Sequence, residues 1–270
     1  MKESESMSSN MVKRLTSIAA LAAVMAVGTT AVAADWGTVK GKFVFKGDVK
    51  PEKLVPSKDT EFCSKHELVD EAIVVSDKGE LANVFVFLNP GRGKKVDVHP
   101  DVKPAAEPKV LDNKGCRFEP HAMTVWTKEP FEVRNSDAGL AHNTNASFFF
   151  ANTKFNESVP NDAPLKKTFT KSESYPARVV CNIHPWMNAY VLIRDNPYMA
   201  VSAADGSFEI ANVPAGKQTF AFWHESPGNL KQLKIGKDKA DRKGQFELNV
   251  PAGGTLDLGE IEVTPVVLGK

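Results

Sequence analysis

Beyond its first thirty-three residues the chain has no apolar run long enough to cross a bilayer, which excludes a helical span in that part. Charge of one sign is also lacking. The formal net charge is +1 over 270 residues, so neither nucleic acid nor a polybasic membrane clamp is expected as a partner. Helical periodicity is scarce, and no repeat or low-complexity tract is present beyond the start. Paired acid/base motifs are missing, as are a Gly-x-Ser-x-Gly elbow and a His-Glu-x-x-His pair, so the residues argue against an enzyme. Cysteine is sparse: the chain has three.

The start is the one segment of different texture. Lys13 and Arg14 precede LTSIAALAAVMAVGTTAVAA, an Ala-rich run ending in small residues, which predicts a secretory signal peptide over 1–33. An uncleaved anchor is the alternative reading, and Met7 or Met11 would serve as a tidier start. Cleavage after Ala33 would remove three basic and two acidic side chains from totals of 34 and 33, leaving 31 of each sign. The mature chain is then expected to be exported or periplasmic. In that compartment thiols tend to pair, and three cysteines leave one over.

The remaining chain predicts an all-β protein. WGTVKGKFVFKGD and LANVFVFLNPG read as strands, the second apolar on both faces and therefore central in a sandwich. A polar, proline-bearing loop covers 92–110. Short strand candidates follow at CRFEPHAMTVW, PFEVRNSD, NASFFFANTKF, KKTFTKSE and ARVVCN, a spacing that suits a sandwich or barrel. Asp205-Gly206, between two alternating runs, predicts a hairpin. Residues 231–244 read as a charged surface connection with room for a helical turn.

Chemistry concentrates in VVCNIHPWMNAY, 179–190. Cys181, His184 and Met187 offer a thiolate, an imidazole and a thioether within seven positions, and Pro185 stiffens the loop. Upstream, in VRNSDAGLAHNTNA, a strand ends at Asn135 and a turn leads to His142. Two histidines, one thiolate and a weak axial thioether are the donor set of a blue-copper electron-transfer site. Thiolate and thioether favour Cu(I) and imidazole suits both oxidation states. With no second cysteine in the loop, a mononuclear site is expected. Zinc on Cys181 and two histidines is the rival metal.

Here the residues resemble a known family. C-N-I-H-P-W-M is similar to the ligand loop C-x-x-H-P-x-M of amicyanin-type cupredoxins, and N-S-D-x-x-x-x-H-N to the cupredoxin segment that supplies the first histidine. The resemblance implies one type 1 copper held by His142, Cys181, His184 and Met187. It also implies that Asn143 hydrogen-bonds across to the cysteine loop, where such contacts orient ligands. Trp186, beside the metal, is expected to be partly exposed and to dock a redox partner such as a c-type cytochrome or dehydrogenase, with Phe148 to Phe150 as a second contribution.

Cys63 and Cys116 admit two accounts: a disulfide, favoured by export, or zinc-like Cys63-x-x-His66 and Cys116-x-x-x-x-His121 spacings. His121 and His224 read as structural, with an exposed Trp-His-Glu run around His224 as a possible partner surface, and His66 and His99 as surface residues. The flanks, G-x-V-x-G early and A-V-x-x-x-D-G-x-F-x-I-x-N-V-P-A-G late, resemble a transthyretin-like, carboxypeptidase regulatory-like sandwich. The expected organisation is a cupredoxin-like Greek-key unit at 116–195, inserted in or packed on a sandwich built from 35–115 and 196–270. The combination also resembles exported proteins labelled methylamine utilisation proteins. Copper or zinc storage and delivery, and a metal-free carbohydrate- or surface-binding module, are the competing functions.

Overall fold

Alternating apolar residues, cut by glycine and proline, fold into strands with a single helical turn in the structure, a computed structural model that describes residues 35–91, 93–149 and 151–270. The expected signal peptide lies outside the described residues. The first stretch holds β1 (Trp36–Phe45), a single helical turn α1 (Thr60–Cys63) and β2 (Phe85–Leu88). Next come β3 (Lys109–Asn113), β4 (Phe118–Glu119), β5 (Ala122–Trp126), β6 (Phe131–Asn135), β7 (His142–Ser147), β8 (Phe155–Val159), β9 (Leu165–Lys167), β10 (Ala177–Val180) and β11 (Asn188–Arg194). The last stretch holds β12 (Met199–Val201), β13 (Ser207–Pro214), β14 (Gly216–His224), β15 (Gly228–Asn229), β16 (Lys234–Ile235), β17 (Asp238–Lys239), β18 (Gln245–Val250) and β19 (Thr255–Val263).

Four sheets stack in sequence. The first, ordered β13-β1-β19, faces a second, β12-β2-β14-β15 with β18 also on β14. Between them lies a core that includes Val39, Phe43, Val86, Leu88, Phe220, Phe222, Phe246 and Ile261. The third sheet is β5-β11-β10-β7-β8 and the fourth β4-β3-β6-β9. Their core includes Leu111, Phe118, Val125, Val133, Val179, Val191 and Ile193. Strand side chains alternate between faces, so β2 and β11 each serve two cores. Phe85 and Phe87 of β2 turn away from Val86 and Leu88 to meet Ala122, Leu192 and Trp223, joining the second sheet to the third. That is why LANVFVFL is apolar on both faces, and β2 is buried at all four positions, as expected for a central strand. Arg194 stitches the same seam, its guanidinium donating to the Glu173 and Leu88 carbonyls and to Asn89 Oδ1.

Three details differ from the sequence-based expectation. β3 precedes the expected boundary at 116, yet it pairs in parallel with β6 in the fourth sheet. Asp205-Gly206 makes a tight turn, with the Gly206 N–H on the Ala203 carbonyl, but not a paired hairpin. β12 pairs with β2 while β13 pairs with β1, so the turn carries the chain from one sheet to the other. Gly206 is required there: its φ is +75°, and a Cβ would sit 2.4 Å from the Phe43 carbonyl oxygen. The 231–244 connection forms the short antiparallel pair β16–β17 instead of a helical turn.

Candidate metal centre

The cysteine loop is closed by its own backbone. Cys181, directly after β10, donates its N–H to the Met187 carbonyl at 3.2 Å, and Met187 donates to the His184 carbonyl at 2.9 Å. The loop therefore folds back over Cys181, and Met187 is packed in the same core cluster as the cysteine. His142 opens β7, which runs antiparallel to β10, and this pairing delivers the distant imidazole to the sulfur. His142 Nδ1 lies 3.8 Å and His184 Nδ1 3.7 Å from Cys181 Sγ. The three donor atoms are all within 4.8 Å of one another, and all three residues are buried.

These separations suit one shared ion. Nitrogen and sulfur donors held about 2.0–2.3 Å from a metal and opening by about 120°, as in a trigonal site, are about 3.7 Å apart. Both imidazoles also present Nδ1 inward, because their other nitrogens are engaged. His142 Nε2 meets Asp137 Oδ2 at 3.0 Å, and His184 Nε2 meets Asp59 Oδ2 at 2.9 Å. A carboxylate on the outer nitrogen fixes the tautomer and leaves the inner lone pair free for a metal. Asp137 is itself held by the backbone N–H groups of Gly115 and Cys116.

The pocket's electrostatics lower the pKa of the thiol and raise that of one imidazole. Burial opposes charge on Cys181, but contacts from His142 and His184 and nearby backbone groups bring its pKa down to about 5. Burial likewise opposes charge on His142, yet Asp137 and the Cys181 sulfur raise its pKa to about 9. A bound cation would take over the role of that proton.

Asn143 reaches the cysteine loop: its Oδ1 accepts the Asn182 N–H at 2.7 Å and lies 3.5 Å from Cys181 Sγ. Trp186 is half-buried, its ring 5.2 Å from that of His184 and its indole N–H donated to the Cys116 carbonyl. Cys63 and Cys116 form a disulfide, which leaves Cys181 as the free cysteine and closes the zinc-like alternative for that pair.

The other candidates fall elsewhere. Phe148 is a core residue and Phe149 is exposed, while Phe150 lies outside the described residues. His66 is exposed, and His99 is half-buried against Trp36. His121 is buried with Nε2 on Glu225, and its Nδ1 is 3.7 Å from Glu71. The Trp-His-Glu run is not an exposed surface: Trp223 and His224 are 8% and 1% exposed, and Trp223 packs in one cluster with Ala122 and Leu192 of the third sheet. Asp59 and Asp137 were not anticipated as site residues. Asp137 stands inside the N-S-D segment and could have been suspected from its nearness to His142. Asp59 is 125 residues from its partner, and nothing local marks it.

No protein-family model matches the chain, and no curated protein matches it. Among solved structures it is similar to amicyanin from Paracoccus versutus, at 19% identity and a TM-score of 0.28, over 40% of this chain and 97% of that one. A purple cupredoxin from Nitrosopumilus maritimus is similar at 15% identity and a TM-score of 0.26, over 31% of this chain and 95% of that one. A copper-containing nitrite reductase from Thermus scotoductus SA-01 is similar at 18% identity and a TM-score of 0.30, over 37% of this chain. The match spans 25% of that reductase.

Proposed function

We propose that the chain is an exported mononuclear blue-copper protein that carries electrons and turns over no substrate. The observation that supports it is the meeting of two imidazole Nδ1 atoms with the free Cys181 sulfur at 3.7–3.8 Å, beside the buried Met187. Copper bound there would supply a one-electron couple between Cu(II) and Cu(I). His142, Cys181 and His184, with Met187 packed in the same cluster, would hold it through two imidazoles, a thiolate and a thioether. Asn143 fixes the cysteine loop, while Asp137 and Asp59 hold the two rings. A buried, braced pocket limits rearrangement between oxidation states, which favours electron exchange over release of the metal. Storage or delivery would require a looser one.

We also propose that the cupredoxin-like unit expected at 116–195, with β3 added at its start, is inserted in a transthyretin-like sandwich built from the rest of 35–115 and from 196–270. In support, the buried residues of the first core come from 39–88 and 198–268, and those of the second from 111–193. A small redox protein, such as a c-type cytochrome, would approach the exposed Asn182 and Pro185 beside Trp186. Among the described residues no helix is long and apolar enough to cross a membrane.

Copper-loaded protein should show intense thiolate-to-copper visible absorption, lost in Cys181→Ser. Colourless copper protein, zinc alone after purification from the native compartment, or colour that survives the substitution would overturn the proposal.

A further inference from the structure

We infer that Asp59 is a positioning residue for this centre: a carboxylate carried over from the first stretch of the chain, clamped on the outer edge of His184 and braced there by the Cys63–Cys116 disulfide. The inference rests on the copper reading and deepens it.

Local structure gives Asp59 a different task from the one it performs. It occupies the N-cap of α1, where an aspartate usually accepts a backbone N–H of the first turn. Its carboxylate makes no such bond, and its backbone sits in the left-handed region at φ 47°, uncommon for a residue other than glycine. What the carboxylate does instead is accept from His184 Nε2 at 2.9 Å, leaving that imidazole fully buried. Aspartate tolerates this conformation, and forgoing the local cap frees its carboxylate for His184.

The disulfide stands at the centre of this arrangement. The Asp59 carbonyl accepts the Cys63 N–H at 2.9 Å, so clamp and disulfide share one helical turn. Across the bond, Cys116 donates its N–H to Asp137, the carboxylate that holds His142, and its carbonyl accepts the Trp186 indole. One covalent link therefore braces the groups that grip both histidines. It also places the turn before Cys63 over the His184 edge.

Two consequences separate a positioning role from simple packing. A carboxylate on Nε2–H fixes the tautomer whose Nδ1 lone pair faces Cys181. Its negative charge also favours the more positive oxidation state of whatever occupies the pocket. Asp59→Asn, at a side chain that is 37% exposed, should fold normally. In zinc-loaded protein, proton NMR should find the His184 Nε2–H protected from solvent exchange in the wild type and less protected in Asp59→Asn. In copper-loaded protein, Asp59→Asn should shift the Cu(I):Cu(II) ratio at fixed potential about tenfold toward Cu(I), about 59 mV for a one-electron couple. Asp59→Glu should recover part of both effects. Cys63→Ser/Cys116→Ser should shift the potential in the same direction, and adding Asp59→Asn to it should contribute little more.

Unchanged protection of the His184 Nε2–H in Asp59→Asn, or an unchanged potential in coloured protein, overturns the inference while leaving the copper reading intact. Absence of colour in the wild type overturns the copper reading, and the exchange measurement still judges Asp59 by itself.

Discussion

His224 should make the fold sensitive to mild acid. The residue ends β14 with its ring 1% exposed, and its Nδ1 accepts the Ser226 N–H at 3.3 Å. Burial, reinforced by the neighbouring His121, pushes its pKa down from an ordinary 6.5 to about 4. Between these values the unfolded chain takes up a proton that the folded protein refuses. The stability this represents is complete above about pH 6.5 and is lost as pH falls through about 4. At about 1.36 kcal/mol per pH unit the gap is worth about 3 kcal/mol, most of it gone by pH 4.5. His121 works in the opposite sense. Burial opposes its charge, but Glu225 and Glu71 raise its pKa, so its contribution is present in acid and fades as pH rises through the raised value. The two must therefore be separated by difference. His224→Gln keeps an oxygen for the Ser226 N–H and takes no proton. Urea denaturation of metal-free protein, followed by tryptophan fluorescence at pH 7.5 and 4.5, should show the wild type losing about 2–3 kcal/mol more than the variant. Equal losses in the two proteins would mean that His224 is not held neutral by the fold, and the reasoning fails.

Two further outcomes are expected. Reducing or removing the Cys63–Cys116 disulfide, which spans 53 residues, should cost about 4 kcal/mol of stability by denaturant unfolding on the chain-entropy account. Asn143→Ala removes the acceptor of the Asn182 N–H, held at 2.7 Å, a loss of about 0.5–1.5 kcal/mol. In a chelator competition the same variant should release copper with about 10–100-fold weaker affinity than the wild type.

How much of this was legible beforehand follows from how far each interaction reaches along the chain. Cys181, His184 and Met187 share one short loop whose backbone closes on itself, so their convergence is a local property and the spacing reveals it. His142 could be proposed because the residues around it match a known pattern, but its approach to the sulfur is made by the pairing of β7 with β10. Asp59 could not be read at all, since a long detour through the sandwich brings it to His184. The disulfide was one of two open accounts until the fold brought Cys63 and Cys116 together.

The same division holds for the architecture. Alternation, β-branched runs and glycine turns specified strands, and the double-faced apolar run at 85–88 required burial on both sides, because side-chain direction alternates within a strand whatever surrounds it. Which surface fills each side was decided by tertiary packing: Val86 and Leu88 face the first core, Phe85 and Phe87 the seam to the third sheet. Asp205-Gly206 fixed a turn through the conformational freedom of glycine, a property of one residue. Sending β12 and β13 to different sheets needed partners from β2 and β1, more than a hundred residues away in sequence, and no local preference encodes such a choice.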